Sequence, residues 1–216
     1  MSDERPSMPE QYADPARPGT APDPVDPLDR AAWPLRTERL LVRRATRADA
    51  VATYGYRRLP DVGRWLPYPE PSWAVHEELW CDPERMRHQL AVEHSPEPGG
   101  RVVGDLMVRV QDAWTQRGHE SRGRGAEAEV GWAFDPAVGG QGLATEAVRG
   151  LLGLCFDQLG VRRVVGICFT ENEPSWRLME RLGMRREAHL VGDSFHGERG
   201  WCDSYSYALL AEEWRG

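Results

Sequence analysis

The sequence predicts an α/β (α+β) fold, in which a mixed sheet of six to seven strands is flanked by helices. After residue 34, strand-like and helix-like segments follow one another in the order β-α-α-β-β-β-α-β-α-β-β. The chain has 216 residues, which is enough for one domain with a sizeable core plus a tail. Its 40% hydrophobic and 28% charged residues are typical of a globular protein.

The N-terminal segment differs in composition from the rest of the chain. Residues 1–34 hold eight of the 17 prolines, and the stretch APDPVDP has almost nothing apolar to bury. Such a segment cannot offset the entropy cost of its own ordering. We therefore predict a disordered proline-rich tail over 1–34, with a partner-docking arm as the alternative, and a folded domain over 35–216.

The first half of the domain begins with a strand-like segment. LRTERLLVRRA (35–45) alternates well enough for a strand, and Thr46 is a suitable N-cap for the helix after it. Residues 60–88 carry tryptophans and prolines in short helical pieces. QLAVEH (89–94), the turn SPEPGG and RVVGDLMVRVQ (101–111) together predict a hairpin.

The second half alternates strands and helices after a polar, glycine-rich loop over 112–125. Gly183 follows a predicted helix, where a left-handed conformation suits glycine. The predicted elements are a strand over 126–134, a helix over about 142–159, a strand over 161–170, a helix over 172–182 and strands near 184–193 and 203–210.

Charge and composition exclude several classes of function. The net charge of −7 disfavours nonspecific nucleic-acid binding and weakly favours a cationic partner or substrate. No apolar run approaches the ~18 residues of a transmembrane helix, and no secretory segment opens the chain, so we expect a cytoplasmic protein without a membrane partner. The four cysteines form no CxxC pair and the histidines lack metal-ligand spacing, so we expect no metal.

The segment AEVGWAFDPAVGGQGLATEAV (128–148) contains a cluster of glycines between a strand and a helix. Gly139, Gly140 and Gly142 let backbone N–H groups approach a ligand closely, and the helix N-terminus adds free donors and a partial positive charge. These features predict a pyrophosphate site, with a plain tight turn as the alternative. A Rossmann site fits worse because no GxGxxG opens a βαβ unit, and a P-loop fails because no GKS or GKT follows.

The same segment resembles a known family. GGQGLATEAV is similar to the acetyl-CoA-binding segment of the GNAT superfamily of N-acyltransferases, whose pattern is Gln/Arg-x-x-Gly-x-Gly/Ala. Gly142 and Ala144 match its last two fixed positions, whereas Gly139 departs from the first. ENEPSWRLMERLGMRRE (171–187) resembles the later helix of the family. TERLLVRRAT and HGERGWCDSYSYALLAEEW resemble its Rim-type branch, which acetylates ribosomal-protein N termini, so the resemblance covers about 35–216.

The resemblance implies a mostly antiparallel sheet whose central parallel strands splay apart to hold the pantetheine arm of acetyl-CoA (coenzyme A), the expected co-substrate. The strands around 129–134 and 165–169 would line that opening. The implied cofactor-binding residues are Trp132, Ala133, Phe134, Gly139, Gly140, Gln141, Gly142, Leu143, Ala144, Thr145, Asn172 and Ser175.

The chemistry requires a base, because an alkyl amine with a pKa near ~10 must lose a proton before it attacks. Glu129, on the strand that enters the site, is the first candidate. Glu127 lies on the same strand face and is the reserve candidate, and His196 is a further alternative. The expected donor to the thioester oxygen is the backbone N–H of Ala133 or Phe134.

The departing thiolate also needs a hydrogen-bond donor. Many members of the family use a tyrosine late in the 172–182 helix, but Met179 falls at that position and cannot donate. Ser175 matches a serine of the Rim-type branch, so we predict that it is the donor, with an ordinary helix-start residue as the alternative. Asn172 is expected both to cap the helix and to contact the cofactor arm.

The acceptor side is expected to use aromatic rings and a carboxylate. Trp65, Tyr68 and Trp73 are predicted to pack against the substrate, and Asp203 is predicted to hold its ammonium group, with core packing as the alternative for each. The predicted function is transfer of an acetyl group to a primary amine, either a protein N-terminal α-amine or a small-molecule amine, by direct attack in a ternary complex.

Two alternatives from other classes remain. The departures at Gly139 and Met179 allow a non-catalytic acyl-CoA-binding regulatory domain, and the proline-rich tail allows a scaffold that recruits partners. A homodimer is left open.

Overall fold

A computed structural model describes residues 26–67 and 72–216. In it the described residues form one eight-stranded sheet, with the strands in the order β1-β2-β3-β4-β5-β6-β8-β7. Neighbouring strands are antiparallel except for β5 and β6, which are parallel. The strands are β1 (Leu35–Arg36), β2 (Leu41–Arg44), β3 (Gln89–His94), β4 (Arg101–Gln111), β5 (Glu127–Phe134), β6 (Arg163–Phe169), β7 (Arg185–His196) and β8 (Gly200–Leu210).

Helices connect the strands and cover the sheet. Short 3-10 turns at Pro27–Arg30, Arg47–Asp49 and Pro136–Val138 and a π-helical turn at Leu154–Gln158 accompany them. The α-helices are α1 (Ala50–Arg57), α2 (Pro60–Gly63), α3 (Trp73–Trp80), α4 (Pro83–Met86), α5 (Glu120–Gly123), α6 (Leu143–Gly153) and α7 (Glu173–Arg181).

The main core lies where α6 and its π-helical extension pack against the sheet. Apolar residues at helical spacing form a stripe along that helix, and its members are at most 1% exposed. These residues pack in one cluster with alternate residues of β5, such as Ala128 and Val130. The stripe consists of Leu143, Ala147, Leu151, Leu154 and Cys155.

The start of the domain differs from the prediction in two ways. The predicted strand over 35–45 is a hairpin of β1 and β2, closed by a turn in which Thr37 N donates to Leu40 O at 2.9 Å. This extra strand raises the count to eight. Residues 26–34, predicted as tail, are packed: Leu28 is 1% exposed, and Trp33 Nε1 donates to its carbonyl at 2.8 Å. Residues 1–25 lie outside the described residues, so disorder there stays a prediction.

The C-terminal hairpin is longer than predicted. β7 and β8 pair from Arg185↔Ala208 to His196↔Gly200, and both strands extend toward the connecting turn. Near the turn, the alternation between buried and exposed side chains is weak, and the aromatic residues Phe195 and Trp201 are 64% and 69% exposed. Gly183 has φ 81°, which confirms the left-handed helix end. In the described parts of the chain, no helix combines the length and the apolarity that crossing a bilayer requires.

Candidate active site

The parallel strands β5 and β6 separate at the centre of the sheet. They pair over three positions, from Glu127↔Arg163 to Glu129↔Val165. Beyond Glu129, β5 stays paired with β4 as far as Phe134, while β6 stays paired with β8 as far as Phe169. A V-shaped opening therefore lies between the second halves of the two strands.

Backbone groups of β5 face this opening in alternation. Asp135 N donates to Val103 O of the β4 side at 2.8 Å, and Arg163 N of β6 donates to Ala126 O at 3.1 Å. Because successive residues of a strand direct their N–H and C=O groups to opposite sides, odd-numbered residues of β5 face β4 and even-numbered ones face the opening. Beyond the last bridge to β6, at Glu129↔Val165, the residues whose N–H and C=O groups both face the opening are Trp132 and Phe134.

This alternation corrects one prediction. Ala133 pairs with Asp105 of β4, so its N–H points away from the opening and cannot donate to a thioester oxygen there. Phe134, the other predicted donor, has the required direction.

A cavity of about 930 Å³ lies between the end of β5, the glycine turn and α7. We call it the donor cavity, because it is where the acetyl donor is expected. Most of the predicted cofactor-binding residues line it. They are Trp132, Ala133, Phe134, Gly139, Gly140, Gly142, Leu143, Ala144, Thr145, Asn172 and Ser175. Gln141 is the exception: it does not line the cavity, and its carbonyl accepts a hydrogen bond from Arg39 Nη1 at 3.0 Å.

The glycine turn owes its shape to two left-handed residues. Gly140 has φ 74° and Gly142 has φ 77°, conformations that L side chains rarely adopt. Gly142 is the N-cap of α6, which begins at Leu143. The first N–H groups of α6 have no partner within the helix, so the turn presents donors and the positive end of the helix dipole to the cavity.

A second cavity, of about 430 Å³, adjoins the donor cavity through the opening between β5 and β6. We call it the acceptor cavity, because it is where the amine acceptor of the acetyl group is expected. The two cavities share several lining residues, so a ligand in one can reach a ligand in the other. The shared residues are Trp65, Leu66, Trp132, Asn172 and Ser175.

Glu129 lines the acceptor cavity, as its predicted role requires. Its side chain is 26% exposed and forms an ion pair with Arg109, the residue opposite it on β4. Glu127 is directed elsewhere: it accepts from Gln111 Nε2 at 2.9 Å, lies 3.3 Å from Arg163 Nε, and is not among the lining residues of either cavity.

His88 also lines the acceptor cavity, although it was not predicted as a site residue. Burial lowers the pKa of His88 below its ordinary value, and this effect outweighs the opposing charge of Asp26. The shift favours the neutral ring. No feature of the single sequence distinguished His88, because its place beside the cavity depends on how β3 packs.

A buried polar group forms the floor of the acceptor cavity. Asp105 is 2% exposed and accepts from Tyr56 Oη at 2.7 Å and from Arg57 Nη1 at 2.8 Å. These bonds fasten α1 to β4 and satisfy both oxygens of the carboxylate. Gln89, 7% exposed, lies nearby with a buried Oε1 that has no partner among the described residues.

Ser175 lies at the start of α7 and lines both cavities. Burial raises the pKa of Cys168 to about 11, while a hydrogen bond with Ser175 acts in the opposite direction. Met179 is fully buried beside Gly166, so it does not approach the opening. Asn172 lines both cavities, but its side chain makes no capping hydrogen bond, which corrects the predicted capping role.

The structure separates the predicted acceptor residues. Trp65 lines both cavities, whereas Trp73 packs against Tyr54 and His76 in the α1–α3 contact, at ring distances of 5.5 and 6.0 Å. Asp203 accepts from Gly192 N at 2.8 Å and lies 2.7 Å from His189 Nε2.

Asp203 and Trp73 are therefore not among the lining residues of either cavity, and neither fits its predicted role. His196 is 6% exposed and packs between Trp65 and Phe169, also outside the lining of both cavities. Tyr68 lies outside the described residues. In 26–67 and 72–216, no group of His, Cys, Asp or Glu side chains is arranged to hold a metal ion.

Comparisons with known proteins agree with this geometry. Residues 39–185 match the family model described as "Acetyltransferase (GNAT) domain". "Putative ribosomal N-acetyltransferase YdaF" of Bacillus subtilis (strain 168) is 31% identical over 160 residues, which cover 72% of this chain and 81% of that protein. "Uncharacterized N-acetyltransferase YnaD" of the same organism is 40% identical over 86 residues, so this match spans 40% of the chain and half of that relative.

Solved structures show the same fold. An acetyltransferase (GNAT family) from Bacillus anthracis superposes with a TM-score of 0.69 at 28% identity, covering 83% of this chain and 99% of that one. Mycobacterium smegmatis RimJ in complex with CoA-disulfide superposes with a TM-score of 0.61 at 23% identity, covering 81% and 83%. The predicted sheet with its splayed parallel pair is thereby confirmed, and the chain belongs to the GNAT family of N-acetyltransferases.

Proposed function

We propose that this enzyme transfers an acetyl group from acetyl-CoA to a primary amine by direct attack while both are bound. One observation carries the proposal: the donor and acceptor cavities meet at the opening between β5 and β6 and share Trp132, Asn172 and Ser175. A thioester that enters from the donor side and an amine that enters from the acceptor side would meet there. A domain that only bound acyl-CoA would have no need of the second cavity.

The groups that line the donor cavity support acetyl-CoA as its ligand. The GNAT fold uses acetyl-CoA, which supplies the activated acetyl group when bound. The C=O of Trp132 and the backbone groups of Phe134, which face the opening, would bind the amides of the pantetheine arm as an added strand does. The turn from Gly139 to Gly142 would bind the diphosphate with its N–H groups.

On the acceptor side, Glu129 would take the proton from the amine, directly or through a water molecule. It is the carboxylate that lines the acceptor cavity at the position where β5 leaves β6. The ion pair with Arg109 keeps this carboxylate oriented along the sheet. His88, whose pKa is lowered by burial, is another group in that cavity that can accept a proton.

Ser175 would stabilise the departing thiolate. Its hydroxyl faces both cavities from the first turn of α7, next to the thiol of Cys168. The N–H of Trp132 would bind the thioester oxygen while negative charge develops on it, because this group points into the opening at the place where the two cavities meet.

For the acceptor we propose the α-amine of a protein N terminus, with a small-molecule amine as the second class. The relative named as a putative ribosomal N-acetyltransferase supports the first class. An α-amine has a pKa near ~8, so a weak base can deprotonate it near neutral pH.

The test is amine-dependent release of coenzyme A by the purified chain. Acetyl-CoA is incubated with a panel of short peptides that have different N termini and a panel of small amines, and both products are measured by mass spectrometry. We expect acetylated product and free coenzyme A in equal amounts. If acetyl-CoA raises the melting temperature but no amine in either panel is acetylated, the chain binds acyl-CoA without catalysis and the proposal fails.

A further inference from the structure

The glycine turn lacks a side chain of its own that fixes its shape. Residues 139–145 read GGQGLAT and carry no charge. Two left-handed glycines, Gly140 and Gly142, flank Gln141. Glycine has the largest conformational freedom of any residue, so the backbone on both sides of Gln141 is intrinsically flexible. Something outside the turn must hold it in one conformation if it is to bind a diphosphate tightly.

Arg39, in the turn between β1 and β2, makes that contact. Its Nη1 donates to the carbonyl of Gln141 at 3.0 Å, and its Nη2 lies 3.8 Å from the position of a Cβ atom built on Gly142. Arg39 does not line the donor cavity, so it approaches the turn from behind.

Glu146, in the first turn of α6, keeps the guanidinium of Arg39 in place. Its Oε2 accepts from Nε and from Nη2 of Arg39, each at 2.7 Å. Its Oε1 accepts from Thr37 Oγ1 at 2.5 Å and from the backbone N of Arg39 at 2.8 Å. All of these bonds join the β1–β2 turn to the start of α6, so Arg39 is held by the same helix whose entry it shapes.

The bond to Gln141 has a consequence on the other side of the turn. In a planar trans peptide the C=O and the next N–H point in opposite directions. Since the carbonyl of Gln141 points toward Arg39, the N–H of Gly142 points away from Arg39, and Gly142 lines the donor cavity. Arg39 therefore sets the direction of a donor that faces the proposed diphosphate site.

We propose that Arg39, held by Glu146, is a positioning residue that orients the Gly142 N–H toward the diphosphate of acetyl-CoA. This role replaces, from outside the turn, the side chain that is missing at Gly139. The inference rests on the proposed acetyl-CoA site. It assigns to Arg39 an effect on the diphosphate alone and none on the reacting groups.

The test compares a donor that has a diphosphate with one that lacks it. In Arg39→Met we expect the Kd for coenzyme A and the KM for acetyl-CoA to rise about tenfold, with kcat within twofold of the wild type. With S-acetylpantetheine, which has the thioester but no diphosphate, kcat/KM is expected to stay within twofold. Arg185→Met is the matched control, because Arg185 is a half-exposed arginine held by Glu187 and Glu213, and it should change neither donor.

Two more variants separate positioning from charge and from folding. Arg39→Lys keeps the cation, but a lysine cannot bind a carbonyl and a carboxylate in one planar fork, so we expect it to behave like Arg39→Met. Glu146→Gln removes the ion pair and should raise the KM for acetyl-CoA in the same direction by a smaller factor, which provides the test if Arg39→Met does not fold.

Three results would overturn the inference. One is full recovery of coenzyme A affinity in Arg39→Lys, which would show that charge alone matters. Another is an equal loss with S-acetylpantetheine, and the third is an unchanged Kd in a folded Arg39→Met. A wild-type chain that binds no coenzyme A would instead refute the proposed function, so the two failures are distinguishable.

Discussion

The two cavities that meet at the β5–β6 opening are built from different parts of the chain. The donor cavity presents backbone groups: the free edge of β5 at Trp132 and Phe134, and the left-handed glycines of the turn into α6. The acceptor cavity presents ionisable side chains, among them Glu129 and His88. In the proposed function, one side would therefore recognise its ligand by the geometry of the backbone, and the other by the particular side chains that the fold brings together.

This difference determines what a substitution can do on each side. On the donor side, we expect a substitution to weaken ligand binding mainly when the new side chain forces the backbone out of its conformation or when a contact that fixes this conformation is lost. On the acceptor side, replacement of one carboxylate oxygen by an amide nitrogen, as in Glu→Gln, should remove the proton acceptor and keep the shape of the side chain.

The largest effect is expected for Gly142→Val. Valine at φ 77° is strained and its side chain would extend toward Arg39, so the turn would leave the conformation in which its N–H groups face the donor cavity. Loss of about two charge-assisted hydrogen bonds plus this strain corresponds to about 4 kcal/mol, or about a thousandfold rise in the Kd for coenzyme A. Isothermal titration calorimetry measures it.

Gly160→Val is the matched control for this substitution. Gly160 also has a positive φ, 69°, but it lies in the turn before β6 with no atom near its Cβ position and outside both cavities. This variant should lose stability and keep its affinity for coenzyme A. Equal affinities in the two variants would show that the glycine turn of α6 does not bind the donor.

The sequence was sufficient to predict the shape of the glycine turn because its signal is local. Gly140 and Gly142 stand between a strand and an amphipathic helix, and each of these three features is visible within about 20 residues. The conformation that they require is the one found, with both glycines left-handed. Arg39 escaped prediction because its bond to the turn spans 102 positions of the sequence.

The acceptor side could not be predicted in the same way. Its walls come from segments far apart in the sequence, and a residue such as Asp105 becomes part of the floor only because α1 packs on β4. Trp73 and Asp203 were plausible by residue type, but their partners in the fold are Tyr54 and His189. Residue type indicates the chemistry that a side chain can perform, whereas long-range packing decides whether it reaches the cavity.

The second largest effect is expected for Glu129→Gln. Removal of a general base lowers kcat by about a hundredfold at neutral pH, whereas the Kd for coenzyme A should stay within twofold because the residue does not line the donor cavity. Steady-state kinetics with the best peptide acceptor measure kcat. The change is isosteric, so it tests the charge on this carboxylate and not its volume.

His88→Gln is the paired variant for this prediction. It alters the other proton acceptor of the same cavity, and we expect less than about a fivefold loss of kcat. If the order of the two effects is reversed, His88 is the base and Glu129 serves to hold Arg109. Reduced affinity for coenzyme A in Glu129→Gln would also count against the assignment.

A smaller effect is expected for Ser175→Ala, at the residue that lines both cavities. Loss of one hydrogen bond to the departing thiolate should lower kcat about tenfold, with little change in the KM for acetyl-CoA. Ser194→Ala, on β7 and outside the lining of both cavities, is the control and should match the wild type. A higher KM with unchanged kcat would show that Ser175 only binds the donor.

The smallest effect concerns the stability of the donor side, where Glu146 joins the β1–β2 turn to α6. Burial alone would raise the pKa of Glu146, but hydrogen bonds from Thr37 and Arg39 outweigh it and hold the pKa below 4.5. A carboxyl whose pKa is lower in the folded state stabilises the fold fully above its unfolded pKa, and this contribution disappears as the pH falls through the folded value. The melting temperature of Glu146→Gln should therefore lie about 3 °C below that of the wild type at pH 7, for a loss of about 1 kcal/mol, and this gap should shrink below pH 4.5.

Glu84→Gln, which breaks an exposed ion pair with Arg87, is the control and should show almost no gap in melting temperature at any pH. A gap for Glu146→Gln that persists unchanged down to pH 3 would mean that the glutamate acts by packing, and the donor turn would then depend on the shape of this side chain and not on its charge.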